Sequence, residues 1–155
     1  MVREEVNAQP MEFPASVDAE RSILGAILLD NSAHKECVVL NANDFALDSH
    51  QRIFAAMGKL IGSGHAVDIV TLAEEMNRRK EVAEIGGVAY LASLIEGLPR
   101  GLSIKEWCAI VKEKSLLRQI IGACSSATTK AADQVLTAAE IVEQLGKDLK
   151  GIRKK

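Results

Sequence analysis

The sequence predicts an all-α protein, a compact head of about five or six helices followed by a C-terminal antiparallel helical hairpin. Two observations carry that prediction. Apolar residues recur at three- and four-residue spacing along most of the chain, and the runs open on capping residues and close on glycine or proline. With 155 residues, 48% of them hydrophobic, the chain can bury one real core, so a single compact unit is expected.

Residues 1–13 are polar and lack periodicity, and with Pro10 and Pro14 nearby they predict a flexible tail. The head is expected over residues 14–98. Its first helix starts at Ser16, a good N-cap, with Asp18 and Glu20 near the positive end of the dipole and Ile23, Leu24, Ile27 and Leu28 on one stripe. A short second helix is predicted from Ser32 to about Leu40, followed by a turn at Asn41–Asp44. Asp48 and Gln51 have capping-box spacing ahead of Ile53, Phe54, Met57, Leu60 and Ile61, and Gly62-Ser63-Gly64 stops that run. Asp68 is expected to cap the next helix, with Val67 and Leu72 as its hydrophobic staple, and Arg78-Arg79-Lys80 sits where a helix C-terminus favours cations. Gly86-Gly87 opens a further short helix through Tyr90, Leu91, Leu94 and Ile95, which Gly97 and Pro99 end.

Residues 99–155 read as the hairpin, within the same domain. Ser103 and Glu106, with Leu102 and Trp107 as staple, and Thr137 and Glu140, with Leu136 and Ile141, have the same capping-box pattern. The first arm is predicted from Ser103 to about Lys130, and the second carries Ile141, Leu145, Leu149 and Ile152. The long arm has Ile104, Trp107, Cys108 and Val111 on one stripe and Leu117, Ile120, Ile121 and Cys124 further along. A partner of about half its length cannot cover that surface, so the head or another subunit is expected to cover the rest.

The residues that chemistry would need are missing from their usual patterns. The sequence has no GxxxxGK[ST] phosphate loop and no GxSxG elbow, and Glu74-Glu75 point to different faces of a helix. His34, His50 and His65 fall on different elements without a cysteine or carboxylate at ligand spacing, and are expected to be solvated or capping. Cys37, Cys108 and Cys124 form no CxxC pair and read as small buried thiols of a reducing compartment. No catalytic, metal or cofactor site is therefore expected. A net charge of −2 and an aromatic content of 3% disfavour a stand-alone nucleic-acid binder, with Arg153-Lys154-Lys155 as its only support. No secretion signal or bilayer-spanning run is evident, which predicts a cytoplasmic protein without membrane contact.

Several pieces, read in order, carry a resemblance. They are Pro14, Ala19-Glu20, the run from Ile23 to Asp30, Asp44-Phe45, His50 and Ile53-Phe54. They continue with Val67-Asp68, Thr71-Leu72, Gly86-Gly87, Tyr90-Leu91, Ile110-Val111 and Leu117-Arg118. This ordered set is similar to the N-terminal domain of the hexameric replicative DNA helicases of the DnaB family. Ser103 and Trp107 stand where that family commonly has Asn and then Tyr, which points to a different partner at the start of the hairpin.

The resemblance implies a helical head and hairpin whose copies pair, from a dimer up to a hexameric collar, and which dock the C-terminal domain of primase and a helicase loader. DNA would be touched weakly or indirectly. The expected partner surface is Trp107, Val111, Leu117, Arg118, Ile120, Ile121, Ile141, Leu145 and Leu149. ATP and Mg would belong to the family's ATPase domain, which this chain lacks. The alternative is a free-standing protein, of phage or prophage type, that binds a helicase or its loader and modulates ring assembly.

Overall fold

The computed structural model describes residues 12–99 and 103–153, and every regular element among them is helical. The expectations for residues 1–11, Leu102 and Lys154-Lys155 lie outside the described residues. Six α-helices follow in order: α1 (Val17–Leu29), α2 (Asp48–Gly62), α3 (Ile69–Arg78), α4 (Gly87–Ser93), α5 (Ile104–Asp133) and α6 (Ala138–Arg153). Three 3₁₀ segments, Asn31–Cys37, Ala42–Asp44 and Ala83–Ile85, join them.

Local chemistry explains most of the boundaries. The Ser16 hydroxyl accepts the Ala19 amide at the head of α1. Asp68 caps α3 by accepting the Thr71 amide at 2.8 Å, while the Thr71 hydroxyl accepts the Asp68 amide at 2.9 Å. Gly86 and Gly87 take φ values of 89° and 80°, a left-handed entry to α4 that a side chain would oppose. Arg78 and Arg79 both pair with Glu75 one turn back, so two of the three cations of the basic run are used in closing α3.

Four expectations are corrected. The second helix is a 3₁₀ segment ending at Cys37, because Asp30 accepts from both the amide and hydroxyl of Ser32 and Asn31 reaches out to Val67. Asp48 is the first residue of α2 rather than its cap: it pairs with Arg52, and Gln51 donates to the Phe45 carbonyl. α4 stops at Ser93, whose hydroxyl donates to the Tyr90 carbonyl. Ser103 precedes α5 but makes no side-chain capping bond, whereas the matching box at Thr137 is complete, with bonds of 2.8 and 3.2 Å to Glu140.

One core unites the head. Ile23, Leu24, Ile27 and Leu28 of α1 meet Phe45, Ile53, Phe54, Leu72 and Leu91 there, Tyr90 packs on its edge, and Asp68 stays exposed as a cap. The Phe45 and Phe54 rings lie 4.8 Å apart at a tilt of 35°, a favourable aromatic geometry. Gly25 brings α1 against the residues after α4: a Cβ there would fall 2.2 Å from the Leu94 carbonyl oxygen.

His50 corrects the expectation of a solvated histidine. It is fully buried, with Nδ1 2.8 Å from Glu20 Oε1 and Nε2 bonded to the Tyr90 hydroxyl. Glu20 also accepts the Ala46 amide, so one polar chain ties α1, α2 and α4 together. A buried imidazole is tolerable when both of its nitrogens are satisfied, as here. Cys37 and Cys108 are buried as expected, but Cys124 is exposed, because its turn of α5 has left the head.

Candidate functional site

The hairpin is where the chain exposes what a single copy does not cover. α5 is 30 residues long and changes environment along its length. Its first turns belong to the head: Ile104, Cys108 and Val111 are buried in the common core and Trp107 packs against it. Val111, expected on a partner surface, is therefore an interior residue, and Trp107 is half-covered.

A polar lock follows. Asp44, buried at the end of its 3₁₀ turn, accepts the Asn41 amide at 2.7 Å, the Ser115 hydroxyl at 2.6 Å and the Lys112 ammonium at 3.1 Å. Burial alone would raise the Asp44 carboxyl, but those three donors outweigh it and hold its pKa below the ordinary range. Arg118 adds a second tie, donating to the carbonyls of Pro14 at 2.7 Å and Asp44 at 2.6 Å. Arg118, also expected to meet a partner, thus already spends two donors within its own chain.

Beyond Arg118, α5 leaves the head and has α6 beside it. Among the described residues of this outer half only Ala123 is buried, and α6 has no buried residue at all. Small side chains, Ala123, Ser126 and Ala127, line the seam with Ile141 and Leu145, which are half-buried, as is Ile121. The larger apolar groups face outward: Leu117 is 37% exposed, Ile120 40%, Leu149 39% and Val142 70%.

Seven of the nine residues expected on the surface thus line or flank the outer part of the hairpin or its root, though Arg118 is engaged there. Val111 is not among them, and Trp107 sits at the edge of the head. Ile110 and Val142 are exposed additions that sequence reasoning passed over. Their signal was present, since Ile110 stands seven residues before Leu117 and Val142 seven before Leu149, the spacing of one helix face.

Among the described residues no group of three or more His, Cys, Asp or Glu could hold a metal ion, and no helix is long and apolar enough to cross a membrane. What this arrangement offers is a stiff arm, anchored by charge and core packing at its root, with apolar side chains on its outer faces.

The chain matches the model of the DnaB-like helicase N terminal domain over residues 12–113. It is 38% identical over 114 residues to the replicative DNA helicase DnaB of Geobacillus stearothermophilus, covering 73% of this chain and 25% of that protein. It is 36% identical over 140 residues to the replicative DNA helicase DnaC of Bacillus subtilis (strain 168), covering 90% of this chain and 30% of that one. The chain therefore spans between a quarter and a third of the length of these relatives. In three dimensions it is similar to the N-terminal domain of DnaB helicase from Mycobacterium tuberculosis, with a TM-score of 0.84 and 31% identity, covering 90% of this chain and 99% of that one. A second solved structure, of a DnaB-like replicative helicase and its interactions with primase, shares the fold with a TM-score of 0.70 at 24% identity, over 88% of this chain and 30% of that one. The matched region takes in α1 to α4, the polar lock's Asp44 and the head-bound turns of α5, and on that match the chain belongs to the DnaB-like helicase N-terminal domain family.

Proposed function

We propose that this chain is the collar domain of a replicative DNA helicase, in which copies associate through the hairpin and the head and hairpin dock the C-terminal domain of a primase. The observation that carries the reading is the uncovered arm: among the described residues α6 has none buried, and Leu117, Ile120 and Leu149 are partly and Val142 largely exposed. Covering each such side chain in a neighbouring copy would contribute roughly 1–2 kcal/mol, and a twofold contact would repeat that gain on both sides, against the cost of association. The primase half of the reading rests on family membership and on the structural neighbour described with primase.

In this reading residues 1–13 are a tail, 14–98 the head and 99–155 the hairpin of one domain. ATP, Mg and helicase activity belong to a separate ATPase domain, a loader is a further partner, and the setting is cytoplasmic.

Sedimentation velocity tests the first half. The wild-type chain is expected to sediment as a dimer or larger at micromolar concentration, and the Leu117→Asp/Ile120→Asp variant as a monomer with an unchanged helical spectrum. A wild-type chain that stays monomeric removes the collar. Calorimetric titration with the primase C-terminal domain tests the second half, with saturable heat expected. Mixed complexes with a full-length helicase, without self-association, would favour the free-standing regulator instead.

A further inference from the structure

Two of the three cysteines meet at the root of the arm. Cys37 ends the 3₁₀ segment after α1, Cys108 lies on the second turn of α5, and their sulfurs are 3.5 Å apart although the residues are 71 positions apart in sequence. Both are buried and unbridged. Cys37 also donates to the Ala33 carbonyl one turn back, which holds its side chain in place.

The pair is buried but not sealed. A groove of about 540 Å³ runs between residues 36–39 and the first turns of α5, and Cys108 forms part of its wall together with Glu36, Val39, Lys105 and Lys112. Cys108 lines this groove although it is only 1% exposed, and Cys37 does not line it.

From this juxtaposition we propose that Cys37 and Cys108 form an oxidisable dithiol, a modification site at which a hydroperoxide closes an intramolecular disulfide between the 3₁₀ segment and the arm. Cys108 is the entry sulfur. Its thiolate attacks one oxygen of hydrogen peroxide, the O–O bond breaks, a sulfenic acid forms, and the departing hydroxide takes up the proton that the thiol had shed and leaves as water. Cys37 then attacks the Cys108 sulfur as its proton passes to the sulfenic hydroxyl, which leaves as water, and the S–S bond forms. Two thiols lose two hydrogens and two electrons, and the peroxide takes both. The sulfurs must close from 3.5 Å to about 2 Å, a displacement smaller than one bond length.

The electrostatics suit this order. The contact between the two sulfurs lowers the Cys108 thiol, against the opposing effects of burial and of Glu36, while the same contact and burial push the Cys37 thiol up. Cys108 is thus the more readily formed thiolate of the two, and Cys37 gives up its proton only as it attacks. The product would tie α5 covalently to the segment behind α1, on the same stretch of helix that Asp44 and Ser115 hold by hydrogen bonding.

The test uses the full chain with Cys124→Ser, an exposed position, so that only the buried pair remains. After treatment with hydrogen peroxide, intact-mass spectrometry under denaturing, non-reducing conditions should show a loss of about 2 Da, one S–S bond in place of two S–H bonds. Peptide mapping should place the crosslink between Cys37 and Cys108, and both thiols should return on reduction. The direct crosslink makes a core substitution unnecessary. Two thiols still titratable after oxidation, or gains of one to three oxygens on Cys108 with no crosslink, would overturn the proposal.

Discussion

The Ser115 hydroxyl donates to Asp44 at 2.6 Å across 71 residues of sequence, and this bond marks where the arm stops belonging to the head. On the N-terminal side of it α5 is fastened by core side chains; on the C-terminal side the Arg118 tie and α6 take over.

A charged acceptor so placed makes stability depend on acid. The folded-state pKa of Asp44 lies below its ordinary 3.8, so its contribution is fully present above that value and is lost as pH falls through the folded value. Asp44→Asn should cost roughly 2–3 kcal/mol at neutral pH, having lost the charge that Lys112 and Ser115 face. It should also show a flatter fall in stability below pH 4 than the wild type. Urea unfolding at pH 7, 4 and 3 reads both effects, and parallel pH curves for the two proteins would refute the assignment.

Gly25→Ala should destabilise the head although alanine is the better helix former. The helix gain is about 1 kcal/mol, but the new Cβ meets the backbone carbonyl of Leu94, which cannot rotate away as a side chain could. A net loss of roughly 2 kcal/mol is expected, which for a domain of this size lowers Tm by about 4–8 °C. A thermal melt at or above the wild-type midpoint would show that α1 and the residues after α4 are not in such close contact.

The chain from Glu20 through His50 to Tyr90 predicts a coupled loss. Tyr90→Phe strands the Nε2 atom of a fully buried imidazole, at a cost of roughly 1–3 kcal/mol. Glu20→Gln disturbs the other end of the same ring. Because the two changes share His50, the double variant should depart from additivity by more than about 0.5 kcal/mol. Strict additivity in urea midpoints would mean that the ring does not connect them.

What could be read from the sequence follows from distance along the chain. Ser16 with Ala19, Asp68 with Thr71 and Thr137 with Glu140 are three residues apart, so a cap at each start can be read from local spacing. The core stripe of α1 was visible for the same reason, since one helix repeat places it. Glu20, His50 and Tyr90 are 30 and 40 residues apart, and Arg118 reaches Pro14 across 104. No local pattern announces such pairs, and that is why His50 read as solvated and Arg118 as free for a partner. Val111 was misplaced for a related reason: its helical stripe continues smoothly into Leu117, and nothing local shows that the head covers one part and not the other.

The two capping boxes of the hairpin make the sharpest comparison, because their sequences are alike and their structures differ. Thr137 accepts the Glu140 amide and Glu140 accepts the Thr137 amide, whereas Ser103 makes no side-chain capping bond and its helix is held instead by the burial of Ile104 and Cys108. α6 has no buried residue to compensate for a lost cap. Thr137→Ala should therefore cost α6 about 1 kcal/mol, and hydrogen exchange at the Glu140 amide should accelerate about fivefold. Ser103→Ala should leave exchange in α5 within twofold of wild type and change stability by less than about 0.5 kcal/mol. Equal acceleration in both variants would mean that Ser103 caps α5 in solution, and that the arm's root depends on local hydrogen bonding as much as its tip does.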